Sequence, residues 1–434
     1  FADREKSRRL VISMMTSKSR TEIHEKICEN YPAIQKWFCQ KTKELDYPIY
    51  SSYDIRDGDY KISNVDANIY PAGFNNICPA DKESAVDLFK KYIHVHYGDN
   101  IKKILLVTEE HTNNPYYLEN VATLHQLLTD GGYTVHVAFP SNLETPLELL
   151  SITGRKVIVN SGYENSPFLK EFNPDLVISN NDFSLSLQEW GDQTSKPINP
   201  PRQLGWYQRK KSRYFVNYNQ LVNEFAEVAG FDPFLLRVET EEFLSFDISS
   251  DESRDQLAQQ VDLFLAKLKS EYQKRGITQE PFCFVKNNSG TYGLAVVRVS
   301  SGAEVKEWTY KSRKKMKAAK GGRDVEEVII QEGIPSVVTS DESSAEPVIY
   351  MVGCELAGGF LRTHAEKSST ESLNSPGAVY KKLCVTDLAD DRSGCPRENV
   401  YGWSAKLGLL AIGLEAQQMK VVFKDYKKAA CGTI

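Results

Sequence analysis

Four short segments between residues 281 and 377 carry side chains suited to phosphate chemistry. Phe282-Cys-Phe-Val285 reads as a strand that delivers Lys286; Asn287-Asn-Ser-Gly-Thr-Tyr-Gly293 and a second strand, Leu294–Val299, follow. A glycine-containing hairpin can close over phosphates because its backbone amides approach without a Cβ in the way. Lys286 adds a point charge beside that loop. The loop joins strand to strand and its Lys comes first, so it is not a Walker sequence. Val328-Ile-Ile-Gln-Glu-Gly-Ile334 is an apolar strand running into Gln331 and Glu332, which as a hinge would bind an adenine edge and a ribose. Its plainer reading is a buried strand ending at a turn. Glu346 to Arg362 reads as a hairpin that turns at Gly353 and delivers Arg362, a cation for charge developing on a transferring phosphate. Glu371-Ser-Leu-Asn-Ser-Pro-Gly377 sets an acid and an amide, Glu371 and Asn374, beside a rigid turn. Such oxygens suit magnesium, which bridges ATP phosphates.

A fifth segment is polar without being basic. Val65–Ile77 shows no helical or strand period and combines Asp66, Asn68, Asn75 and Asn76 with Pro71 and Gly73. It is either a surface loop using Asn for turn chemistry or a loop aiming hydrogen-bonding groups at a polar ligand.

The elements that must hold these groups are legible from residue 101 onward. Ile104–Thr108 is a short buried strand, and Asn114-Pro115 supplies a helix cap and a first-turn proline. Leu118, Val121, Leu124, Leu127 and Leu128 recur at helical spacing until Gly131-Gly132. Tyr133–Phe139, Lys156–Asn160 and Asp175–Ser179 are further strands. Strand and helix in alternation predict right-handed crossovers and a parallel sheet, whose ligands lie beyond the carboxyl ends of the strands. The loops at those ends, Glu109–Asn114 with Glu110 and Asn114, and Asn180-Asn-Asp182 with Asn181, are therefore candidates. Residues 253–275 form a helix with Leu257, Val261, Phe264, Leu265, Leu268 and Tyr272 on one stripe. Residues 191–250 carry a basic patch, Arg209–Arg213, and no clear repeat; a second basic stretch, Lys311–Arg323, lacks interleaved aromatics and reads as a solvated face or a lid.

Composition sets the frame. A chain of 434 residues with 41% hydrophobic residues fits two or three domains, and a net charge of −5 argues against wholesale nucleic-acid binding. No apolar run reaches the ~18 residues of a membrane span. The opening Phe1-Ala-Asp-Arg-Glu-Lys6 lacks the apolar core of a signal peptide, and a missing initiator Met points to a trimmed sequence. The eight scattered cysteines, without a CxxC pair, read as reduced thiols of a cytoplasmic protein. His94 and His96, two apart as on one side of a strand, lack further zinc ligands and read as ordinary half-buried histidines.

Lys strand, glycine hairpin, adenine hinge, arginine hairpin and a final acid or amide occur in the order of an ATP-grasp site. The sequence resembles the ATP-grasp type of glutamate–cysteine ligase, best represented in bacteria. The resemblance runs from about residue 50 to 416 through Asp54-Ile-Arg-Asp-Gly58, Val65–Asn76, Gly205–Ser212, Lys286 with Ser289–Gly293, Gln331-Glu-Gly333, Ala345–Val348, Gly358–Arg362 and Leu373–Gly377. The resemblance implies an α/β and α+β fold: a parallel-sheet N-terminal substrate domain over residues 1–200, then a two-lobed ATP-grasp domain over 201–434. It implies formation of γ-glutamylcysteine from glutamate, cysteine and ATP, the first step of glutathione biosynthesis, with magnesium as cofactor and manganese able to substitute.

Lys286, Arg362 and Asn374 are the expected catalytic residues. The expected ATP shell is Lys211, Lys286, Ser289, Gly290, Tyr292, Gly293, Gln331, Glu332, Ile334 and Arg362. For glutamate, Arg56 and Asp66 are expected at the α-carboxylate and α-ammonium, or else pair with each other as a brace. Asn68, Asn75, Asn76, Glu110, Asn114 and Asn181 complete the expected substrate set. The metal ligands are Glu371 with Asn374 or, if that turn contacts phosphate, Glu415. The partners are small molecules, with neither nucleic acid nor membrane, and a homo-oligomer is compatible. Two departures stand out: Asn113 follows His111-Thr112 where the family usually has Arg, and residues 419–434 match no known pattern. The first keeps open a γ-glutamyl ligase with another amine acceptor, beside a non-catalytic ATP-binding regulator.

Overall fold

The computed structural model describes residues 17–290, 294–317, 325–388 and 400–431. Helices Lys18–Glu29 and Tyr31–Glu44 precede β1 (Tyr50–Asp57) and β2 (Ile62–Asn68). Next come β3 (Lys103–Thr108), β4 (Thr134–Phe139), β5 (Leu147–Leu150), β6 (Lys156–Ser161), β7 (Leu176–Asn180) and β8 (Ile198–Asn199). They form one sheet in the order β5-β6-β4-β3-β7-β8, parallel throughout except at the β5–β6 edge. The parallel sheet expected from residue 101 onward is present. The helix Pro115–Asp130 starts as its sequence predicts, with the Asn114 side chain accepting from the Tyr117 amide.

β9 (Thr240–Phe243), β10 (Cys283–Asn287), β11 (Val296–Val299) and β12 (Val328–Glu332) make an antiparallel sheet in the order β11-β10-β12-β9. The helix Asp251–Lys274 covers it. The predicted stripe of Leu257, Val261, Phe264, Leu265 and Leu268 meets Cys283, Val285, Val328 and Ile330 in a core separate from the main one.

β13 (Thr339–Ser340), β14 (Ser343–Val352), β15 (Glu355–His364) and β16 (Val379–Leu383) complete a third sheet, in the order β16-β15-β14-β1-β2, with β13 on β14. Its β1 and β2 come from the first 70 residues, so the division expected at residue 200 is crossed by strand pairing. Val65–Asn68, expected as loop, belong to β2. β1 escaped the sequence because it is buried on both faces, which erases the period-2 alternation. The β14–β15 turn falls at Gly353, as expected, where φ is 55° and a side chain would be strained.

Two other expectations change. His94 and His96 lie in the helix Pro79–Tyr97, not on a strand. Cys78–Cys384 and Cys354–Cys431 are disulfides with Cα–Cα distances of 5.4 and 6.0 Å, and Cys28 is also disulfide-bonded, against the reading of reduced thiols. Separations of 306 and 77 residues hide such pairs from any spacing rule. The 419–431 stretch, for which the sequence offers no reading, is held by the Cys354–Cys431 disulfide and by Tyr426, which stacks on His96 at 4.4 Å. No helix among the described residues is long and apolar enough to cross a membrane.

Candidate active site

The third sheet presents a charged row built by register alone. Glu346 on β14 faces Arg362 on β15, and Arg362 faces Tyr380 on β16. On the other side of Glu346, Arg56 of β1 reaches its carboxylate at 2.7 Å. Arg362 donates to Glu346 at 2.6 Å and to Asp54 of β1 at 2.7 Å. Asp54 in turn faces Asp66 on β2. Because strand side chains alternate, these groups share one face. Burial pushes the Glu346 carboxyl up, but Arg56 and Arg362 outweigh it and hold it below its ordinary value. For Asp54 burial prevails, aided by Glu346 and opposed by Arg362, and its carboxyl is raised.

The antiparallel four-stranded sheet faces this row across a cleft. Lys286 on β10 donates to Val65 O at 3.1 Å and to Gln331 Oε1 on β12 at 2.5 Å. Burial pushes its ammonium down to about 8, while Asp66 draws it upward. Lys211 bonds the Asp66 carboxylate. The Asp66 carboxyl is pushed up by burial but held low by Lys211 and Lys286.

Two adjoining pockets lie between the sheets. One, with about 640 Å³ of open space, is lined by Arg56, Lys211, Lys286, Gly290, Gln331, Glu332 and Ile334 among others. The second, about 810 Å³, is lined by Asn68, Tyr70, Asn76, Asp182, Trp206, Tyr350, Arg362 and Tyr380 among others. Both volumes include space open to solvent and fall in the range of small-molecule sites. Asp54, Asp66 and Asn374 line both, which marks where the pockets meet.

Of the residues expected around ATP, Lys211, Lys286, Gly290, Gln331, Glu332 and Ile334 line the first pocket, whereas Arg362 lines the second. Ser289 sits just behind the first pocket, donating to Arg209 O at 3.0 Å, and Tyr292 and Gly293 lie outside the described residues. The Glu332 carboxylate is taken: it accepts from Lys61 at 2.8 and 3.0 Å, from Tyr272 OH at 2.7 Å and from the Glu239 amide at 3.1 Å. The Glu332 side chain is thus bonded within the protein rather than turned to a ligand.

The expected substrate set divides. Asp66, Asn68 and Asn76 line the second pocket, and Asn75 donates to Asn76 Oδ1 at 3.0 Å. Arg56 and Asp66 do not pair with each other. Besides Glu346, Arg56 clasps Ser369 O at 3.0 Å and Glu371 O at 2.8 Å, which holds the 369–374 turn over the first pocket. Asn114 is spent as a helix cap, and Asn181 folds back on Thr108 O at 3.2 Å and the Phe183 amide at 2.9 Å. Glu110 and Asn113 are exposed and line neither pocket. The departure at Asn113 thus lies away from the cleft.

Of the expected metal ligands only Asn374 faces it. Glu371 turns to Lys367 and the Ser368 amide, both at 2.9 Å, and these bonds lower its carboxyl to about 2. Glu415 is sealed in the core against Arg209 at 2.9 Å, because the apolar helix Val400–Gln418 that carries it packs on Lys211–Ala229. The hard oxygen donors at the junction are Asp54, Asp66 and Asn374. Asp54 and Glu346 stood in recognised sequence blocks without a role. The register that places Glu346 between two arginines has no sequence signal.

A GshA glutamate–cysteine ligase family profile matches residues 24–416. No curated protein matches the chain. A Methylobacillus flagellatus KT crystal structure, described as a candidate gamma-glutamylcysteine synthetase, is 29% identical with a TM-score of 0.82, over 93% of this chain and 98% of that one. A glutathione synthetase-like effector of Globodera pallida is 12% identical, with a TM-score of 0.37 over 88% of this chain and 86% of that one, too low to carry an argument. With the family profile and the fold coinciding over most of its length, the chain belongs to the glutamate–cysteine ligase family of ATP-dependent ligases.

Proposed function

We propose that this ligase forms γ-glutamylcysteine in an ATP-grasp-type cleft, by way of γ-glutamyl phosphate. The observation that carries this is the meeting of two pockets at Asp54, Asp66 and Asn374, flanked by Lys286 and Arg362. The nucleotide takes the first pocket, with its adenine toward β12 and its phosphates toward Lys286 and Gly290. Glutamate takes the second, with its γ-carboxylate at the junction. A carboxylate is a poor electrophile, so one γ-oxygen attacks the γ-phosphorus and ADP leaves. The cysteine amine then attacks the carbonyl carbon of the acyl phosphate, loses a proton, and phosphate departs. No enzyme nucleophile is required. Rate comes from positioning and from cations that meet charge on the transferring phosphoryl group. Lys286 and Arg362 supply those cations.

The carboxylate and amide oxygens of Asp54, Asp66 and Asn374 fit a hard divalent ion such as magnesium. Bound there, the ion would neutralise phosphate charge. Arg56 orients the 369–374 turn that brings Asn374 to the junction. In this reading residues 1–200 mainly serve glutamate and 201–434 the nucleotide, with β1 and β2 serving both. A cytoplasmic setting requires the disulfides Cys78–Cys384 and Cys354–Cys431 to be reduced there.

The test is phosphate release from ATP across a panel of amino acids. Release should need glutamate and cysteine together. Equal release with another amine would reassign the acceptor, and release without any amino acid would remove the ligase reading.

A further inference from the structure

Asp66 gets little support from its own strand. β2 is the edge of the third sheet, and its register against β1 slips beside this residue: Asp54 faces Asp66 but Ile55 faces Asn64, which leaves Val65 as a bulge. The carbonyls on either side of Asp66 are held from outside the sheet instead. Lys286 donates to Val65 O at 3.1 Å, and Arg209 donates through Nη1 to Ala67 O at 2.9 Å. Arg209 is 1% exposed and lines neither pocket. Its Nε donates to Glu415 Oε2 at 2.9 Å, and its guanidinium lies 4.8 Å from the Trp206 ring centre and 5.4 Å from that of Tyr214. The other Glu415 oxygen, Oε1, is buried and has no hydrogen-bond partner among the described residues, so this carboxylate serves Arg209. The backbone of the same segment grips the start of the glycine hairpin. Arg209 O accepts from the Ser289 hydroxyl at 3.0 Å, and the Lys211 amide donates to Asn288 O at 2.7 Å. The rigid fork of donors on a guanidinium suits it to hold a carboxylate and a carbonyl at once.

We infer that Arg209, anchored by Glu415, is a positioning residue: through Ala67 O it sets where Asp66 stands at the junction, without touching nucleotide or glutamate itself. The inference rests on the reading that Asp66 offers an oxygen to a divalent ion there. In that reading Lys286 is the cation that the phosphates recruit, so its hold on Val65 O is given up when ATP binds. Arg209 has no such second duty, and its hold on β2 persists. Lys211, two residues along, bonds the Asp66 carboxylate, so one segment places both the backbone and the side chain of this acid.

The experiment separates the buried pair from the bond to Ala67 O. In Arg209→Met with Glu415→Leu both charges go together, so neither is stranded, and the thermal midpoint should stay within about 5 °C of wild type. Manganese affinity of the ATP-bound protein, read from the electron paramagnetic resonance of the free ion, should nevertheless fall about 10- to 100-fold, the usual effect of losing a residue that orients a metal ligand. ATP affinity measured calorimetrically without metal should stay within about twofold, because Ser289 bonds the Arg209 backbone, which the variant keeps. Full manganese affinity in the folded double variant would make Arg209 a brace of the core, and an equal loss of ATP affinity would make it a general support of the cleft; either overturns the inference. If the double variant does not fold, Arg209→Lys decides. Lysine keeps a cation for Glu415 but has no planar fork to hold Ala67 O as well, so manganese affinity should fall at an unchanged midpoint. Wild-type affinity in that variant overturns the inference. Manganese binding needs no turnover, so a wild type that makes no γ-glutamylcysteine would sink the ligase reading separately, while this measurement still decides the role of Arg209.

Discussion

Lys286 and Arg362 enter the cleft in different electrostatic states. Arg362 is already held by Asp54 and Glu346, whereas Lys286 is bonded to neutral oxygens of Val65 and Gln331. Lys286→Ala and Arg362→Ala should each lower turnover about 10²–10³-fold, the usual effect of removing one transition-state charge partner. Near-normal turnover in a folded variant would take that residue out of the site. Lys286 also predicts a pH dependence. Burial lowers its pKa from 10.5 to about 8, so between those values the unfolded chain keeps a proton that the folded one sheds. Stability of the ligand-free protein therefore gains a favourable contribution as pH rises through that window, and loses it as pH falls through 8. ATP binding should run the other way, weakening above about pH 8 as the cation is lost. Thermal unfolding and calorimetric ATP titration of wild type and Lys286→Met at pH 7 and 9 check the two signs in turn, since the variant should lack this pH effect. For the metal, Asp54→Asn should raise the manganese requirement, and Glu371→Gln, whose carboxylate faces Lys367, should leave it unchanged. The reverse result would return the metal to Glu371.

At the scale of elements, cross-links tie the substrate pocket together. Cys78 precedes the helix Pro79–Tyr97 and follows the loop with Asn75 and Asn76, while Cys384 follows β16, which carries Tyr380. Their disulfide therefore joins two walls of one pocket. Removing it should cost about 2–4 kcal/mol of stability. Denaturant unfolding of wild type and Cys384→Ser without reductant measures the loss. An unchanged midpoint in the variant would show that the bond adds nothing to the native state. A second tether is Asn180 at the end of β7: its side-chain amide donates to Pro71 O at 2.9 Å and so fixes the loop 69–73 to the parallel sheet.

Over the whole molecule, the small antiparallel lobe keeps its own core and is fastened to the rest by a buried ion pair. Lys61, beside β2, bonds Glu332 on β12 with both side chains fully buried, and Tyr272 of the helix Asp251–Lys274 completes the carboxylate's bonds. Lys61→Met should destabilise the protein by about 3–5 kcal/mol, because Glu332 is left buried without its cation. Adding Glu332→Leu should recover much of that loss by removing the stranded charge. If the double variant is no better than the single one, the pair is not what fastens the lobes.

What the sequence determines by itself is local. The parallel sheet from residue 101, the capped helix at Asn114, the stripe of the helix Asp251–Lys274 and the hairpin turning at Gly353 all follow from periodicity, caps and glycine, interactions a few residues long. The blocks around Lys286, Gln331, Arg362 and Asn374 were legible for the same reason, since each motif is contiguous. Register and long-range closure lie beyond that reach. Only tertiary structure brings Arg56, Glu346 and Arg362 into one row, pairs Cys78 with Cys384 across 306 residues and buries Glu415 against Arg209. It likewise turns Glu371 away from the cleft and brings Asp182 into it. The physical reason is that a side chain's chemistry belongs to its residue, whereas its partner is chosen by which strands pair and which faces become buried.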